Sequence, residues 1–111
     1  MDPKYEPKFR DLERRLLQGP GTLDPSIRQA AAMGAELPEA LAPYVDTVRR
    51  HAYKVMDEDI ENLVAQGYSE DQVFELTVAA AFGAARERLD SGLAAMVSRE
   101  VPSPTTKGAE Q

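Results

Sequence analysis

Apolar residues recur along this chain at three- and four-residue spacing, and no segment alternates as a strand would. Phe9, Leu12, Leu16 and Leu17, with charged Arg10, Asp11, Glu13, Arg14 and Arg15 between them, predict an amphipathic first helix with a narrow apolar stripe. Asp2-Pro3 and Glu6-Pro7 are equally good starts, because proline is tolerated where the helix has no amide partner to lose. Such a helix either docks on a partner or lies against its own domain or a neighbouring subunit. Gln18-Gly19-Pro20-Gly21 ends it. That segment is no phosphate loop, since it lacks the Gly-Lys-Ser/Thr ending and follows a helix.

Asp24-Pro25 opens a second helix by the same capping logic, with Ile27, Ala30, Ala31 and Met33 facing inward and Gly34 closing it. A third is predicted from Leu37 to Val55, with Leu41, Tyr44, Val45, Val48, Ala52 and Val55 on one face. Pro43 within it marks a second start or a kink. Asp57 is the expected N-cap of a short fourth helix. Glu58, Asp59 and Glu61 put negative charge in its first turn, where the helix dipole favours it. Ile60, Leu63 and Val64 are its apolar face, and Gly67 its end.

The sharpest local signal follows. Ser69 precedes Gln72 by three residues, a capping box, and Tyr68 is placed to staple against Val73. The helix they start runs from Glu70 to Val97. Its first half, Val73 to Ala85, is apolar nearly all round apart from Glu75 and Thr77, so burial on several sides is expected. The run Ala79 to Ala85 has little bulk except Phe82, and Gly83 costs about 1 kcal/mol relative to alanine. Close approach of a neighbouring backbone is a reason to keep it. From residue 99 the chain is polar and proline-bearing, which predicts a disordered tail. The expected architecture is all-α, about five helices in a single domain over residues 1–98.

Composition narrows function mainly by exclusion. A net charge of −6 over 111 residues argues against nucleic acid and against an anionic membrane surface. With no cysteine there is no disulfide, thiolate nucleophile or thiol metal site. The first residues are too polar for a signal peptide and no apolar run would span a bilayer, so a cytoplasmic protein is expected. No cofactor motif or metal-ligand set is read. His51, the single histidine, has no placed partner for base catalysis and too few ligands around it for a metal. A helix end satisfies such a residue equally well. The acids from Asp57 to Glu61 do not have the offsets of a calcium-binding EF-hand. Glu75 interrupts an apolar helix. If buried it must be paired or protonated, and otherwise it faces solvent or pairs with an arginine such as Arg49 or Arg50.

The segment from Ala52 to Leu89 resembles the core of the alkylhydroperoxidase D-like family, which includes the carboxymuconolactone decarboxylases. The resemblance rests on Gly67, the Ser69-Glu70-Asp71 helix start, the Ala79–Ala85 run and Arg88-Leu89, about a third of the chain. It implies an all-helical fold and a homo-oligomer, a dimer, trimer or hexamer. The family's Cys-x-x-Cys-x-x-x-His falls here on Ala52, Val55 and Asp59, so thiol peroxidase chemistry has neither its nucleophiles nor its base. Two readings follow. The chain is a divergent family member acting as a binding or structural subunit, with a protein partner or with copies of itself. Alternatively it is an enzyme of lactone-decarboxylase or isomerase type, with Asp59, Glu75, His51 and Tyr53 as candidate catalytic groups in a pocket between subunits. A small adaptor whose first helix docks on a larger protein is a third.

Overall fold

The computed structural model describes residues 4–100, with side chains to residue 98. These form five α-helices and one short 3-10 turn: α1 (Glu6–Gln18), α2 (Pro25–Met33), α3 (Ala42–His51), the turn Ala52–Lys54, α4 (Asp57–Ala65) and α5 (Glu70–Glu100). The expected Asp2-Pro3 start and most of the expected tail lie outside the described residues. Within them, α1 begins at the second predicted start, with Pro7 in its first turn.

The other four helices pack around the first half of α5. Val73, Leu76, Ala79, Ala80 and Ala84 form its buried face, against Leu17, Leu23, Ala31, Ala32, Leu41, Tyr44, Val45, Val48 and Leu63 from the rest of the chain. Small side chains let α2 come very close. A Cβ built on Gly83 would collide with the Ala32 backbone carbonyl, so the two helices meet backbone to backbone there. The Ser69–Gln72 box forms as expected: Ser69 N–H donates to Gln72 Oε1 at 2.9 Å and Gln72 N–H to Ser69 Oγ at 3.0 Å. Gly67, at φ 108°, lets the Tyr68 amide turn back onto the Leu63 carbonyl at 3.2 Å and close α4.

Several expectations are corrected. The third helix is not continuous from Leu37 to Val55. Pro43 has no amide and its ring would crowd the carbonyl four residues back, so residues 38–41 form a turn and the helix starts at Ala42. At the other end, Arg88 Nη2 donates to the Arg49 carbonyl, which a continuous helix would offer to the Tyr53 amide. His51 leaves helical geometry at φ −144°, ψ 58°, and Ala52 is exposed rather than on the apolar face. Met33 is 71% exposed, because the inward positions of α2 belong to Arg28, Ala31 and Ala32. Asp57 is the first residue of α4 and not its cap. The Asp59 carboxylate, one turn in, accepts the free Met56 amide at 2.8 Å. Finally, α5 is not enclosed on all sides: Phe74 is 67% exposed, on the side away from the core.

Candidate functional site

The four candidate residues come from four different elements. His51 ends α3 and Tyr53 sits in the 3-10 turn after it. Their rings meet edge-on with centroids 5.9 Å apart, and the Tyr53 hydroxyl lies 3.5 Å from His51 Nδ1. Both are exposed, Tyr53 at 80%. Water therefore surrounds the pair, and the contact is too long for a firm hydrogen bond.

Asp59 borders a shallow groove of about 200 Å³ with Tyr44, Thr47, Asn62, Leu63 and Gln66 among its walls. Its Oδ2 is engaged by the Met56 amide. Tyr44, buried, spends its hydroxyl on Thr77 Oγ1 at 2.7 Å, and Thr77 in turn donates to the Val73 carbonyl. His51, Tyr53 and Glu75 do not line this groove. The structure thus brings His51 and Tyr53 together, and leaves Asp59 and Glu75 in separate surroundings.

Glu75 has the most definite role, and it is neither of those expected. Its Oε2 accepts from the Thr22 amide at 2.9 Å and the Thr22 hydroxyl at 3.0 Å, and its Oε1 from the Leu23 amide at 2.8 Å. Gly21 has no side chain to obstruct this, since a Cβ there would lie 2.6 Å from Glu75 Oε1. Burial pushes the carboxyl pKa up. The bonds from Thr22 and Leu23, with the nearby Arg28 charge, outweigh burial and hold it below its ordinary value. Arg49 and Arg50 are committed elsewhere. Arg49 bonds the Ala31 and Ala32 carbonyls and Glu87 at 2.7 Å, and Arg50 pairs with Asp46 at 2.8 Å.

Arg28 is the residue that periodicity alone misses. It is 3% exposed, yet its guanidinium donates to the Leu16 carbonyl in the last turn of α1 and to the Gly19 and Leu23 carbonyls of the α1–α2 connection. Arg28 thus holds the loop's acceptors while Glu75 holds its donors. The signal was present in a weak form. A Gly-Pro-Gly connection between two helices leaves carbonyls that need a donor, and Arg28 is the nearest long one on the inward side.

Two larger grooves flank α2. One, of about 590 Å³, has Leu37, Val45 and Ala84 in its walls and Arg49, Arg50, Arg88, Asp46 and Glu87 among its polar groups. The other, of about 550 Å³, runs beside α1 past Leu17, Phe82 and Arg86. Arg86 ties α5 to α1 through Glu6 at 3.0 Å and stacks 5.7 Å from the Phe9 ring centroid. Its Nη1, buried, has no hydrogen-bond partner among the described residues and lies 4.0 Å from Glu13. Neither groove contains His51, Tyr53, Asp59 or Glu75. Among the described residues no group of three or more His, Cys, Asp or Glu side chains is arranged to hold a metal ion. No helix among them is long and apolar enough to cross a membrane. Compared with protein-family models, curated proteins and solved structures, the chain matches none.

Proposed function

We propose that this protein is a divergent relative of the alkylhydroperoxidase D-like and carboxymuconolactone decarboxylase proteins, serving as a helical binding or structural subunit without thiol chemistry. The reading draws its family from the sequence resemblance. The observation that carries its function is the commitment of the two carboxylates. Asp59, at the position of the family's histidine, accepts the Met56 amide, and Glu75 accepts two amides and a hydroxyl. A carboxylate acting as a general base near neutral pH needs a pKa raised toward neutrality. Glu75 is shifted the other way. Ala52 and Val55 supply neither a nucleophile nor a resolving thiol. These facts favour the subunit over the decarboxylase or isomerase reading.

The test is an assay of the purified protein for thiol-dependent peroxide reduction, with sedimentation velocity on the same sample. The expected result is no turnover above background and a species heavier than the monomer at micromolar concentration. Peroxidase turnover would overturn the functional reading, and a clean monomer would remove self-assembly from it.

A further inference from the structure

The helix α5 carries a second apolar face that its own domain leaves uncovered. Phe74, Val78, Ala81 and Ala85 follow one another at spacings of four, three and four residues. Leu89, Gly92 and Met96 then repeat the same spacing from Ala85. An 11-residue repeat keeps its residues on one side of a nearly straight helix. That side lies opposite Val73, Leu76, Ala80 and Gly83, which face the core. Phe74 is 67%, Leu89 38% and Met96 59% exposed. The strip is about 33 Å long. An exposed apolar surface of that length marks an interface.

The spacing reads the same in both directions from Ala85. Two copies of α5 laid antiparallel across a two-fold axis at Ala85 therefore align every position of the strip. Phe74 of one copy meets Met96 of the other, a ring against a thioether. Val78 meets Gly92 and Ala81 meets Leu89, so each larger side chain faces a small one. At the axis two alanines let the backbones approach. A parallel pair would set Leu89 against Leu89 and Phe74 against Phe74, losing that alternation, and would align the helix dipoles unfavourably. The antiparallel arrangement has a further consequence. Arg86, Glu87 and Arg88 still pair with α1 or α3, but beyond Arg88 no described side chain of α5 is buried in its own domain. Pairing lays that unsupported half over the first half of the other copy's α5.

Other occupants fit less well. Residues 101–111 contain only Val101 and Ala109 besides prolines and polar residues, too little to cover the strip. An anionic bilayer would meet a chain of net charge −6. We infer that the Phe74–Met96 face of α5 is the interface between two copies of this chain, paired antiparallel about Ala85. This rests on the subunit reading above and specifies its first contact.

The absence of cysteine makes the test direct. A mixture of the Ala81→Cys and Leu89→Cys proteins is oxidised with a mild disulfide catalyst, alongside each variant alone. Antiparallel pairing predicts rapid cross-linking in the mixture and little in Leu89→Cys alone. Rapid cross-linking of Leu89→Cys with itself would overturn the register. In sedimentation, Ala85→Glu and Phe74→Glu should each weaken association about a hundredfold, since each sets an unpaired charge in the contact. Both positions are exposed, so circular dichroism of the variants should still report a folded helical chain. An assembly indifferent to both variants would overturn this face while leaving the subunit reading standing. A wild-type monomer at micromolar concentration would end both this interface and self-assembly. A monomer that co-sediments with a different protein would give the face another occupant and likewise overturn the proposal.

Discussion

At the residue scale, two charged groups hold one loop. Glu75 takes the Thr22 and Leu23 amides, and Arg28 takes the Leu16, Gly19 and Leu23 carbonyls. Replacing Arg28 with methionine keeps the bulk and leaves three carbonyls without their donor. The expected loss is about 3 kcal/mol in urea unfolding, with Arg28→Lys intermediate because an ammonium cannot reach all three. Glu75→Gln turns an amide nitrogen toward one of the backbone donors, and should cost about 2 kcal/mol by the same measurement. The pH dependence has a definite sign. The folded-state pKa of Glu75 is lowered, so its stabilisation is complete above the unfolded-state value and is lost as pH falls through the folded one. The melting temperature of the wild type should therefore fall, as the pH drops below about 5, more steeply than that of Glu75→Gln. Equal slopes would mean that Glu75 is not the group responsible. The partners of Glu75 were not legible beforehand, and those of Arg28 only weakly. A period-3.6 pattern says which side of a helix a residue occupies, but these two bond to a loop dozens of positions away or to irregular backbone with no pattern.

At the element scale, capping and close approach decide which helices form and how near they lie. Ser69→Ala removes one half of the capping box and should destabilise the protein by about 1 kcal/mol. Gly83→Ala is the more instructive change. Helix propensity alone predicts a gain of about 1 kcal/mol. The added methyl would collide with the Ala32 carbonyl, and relief requires α2 to move as a body. The net expectation is a loss of about 2 kcal/mol, measured as a lower denaturant midpoint. A stabilised Gly83→Ala protein would show that α2 and α5 are not in backbone contact. The capping box and Gly67 were legible, because each depends on a few adjacent residues, and Pro43 marked an interruption without deciding between a second start and a kink. The end of α3 was not, since the bond that draws off the Arg49 carbonyl comes from Arg88 on α5.

At the scale of the whole molecule, α5 is longer than the body it supports. It has 31 residues, about 46 Å if straight, and its second half finds no core of its own. An isolated helix of roughly 15 residues, about the length of that half, is marginal in water. If the half is supported by another copy, helix content should depend on concentration. Dilution through the dissociation range should lower the mean ellipticity at the helical band, and Ala85→Glu should show the diluted value throughout. A signal independent of concentration across a measured dissociation would mean that the second half stands unaided.

By itself, the sequence determined the all-helical class, the helix starts at Asp24-Pro25 and Ser69, and the lack of any thiol. These follow from local rules: periodicity, capping chemistry and the presence or absence of a residue type. Only the tertiary structure decided that Glu75 and Arg28 secure a loop and that Asp59 caps α4. It likewise decided that the two carboxylates lie in separate surroundings and that one side of α5 stays bare. Each of those depends on which backbone groups and faces are left without partners once the helices have packed, and that is a property of their arrangement rather than of any one segment.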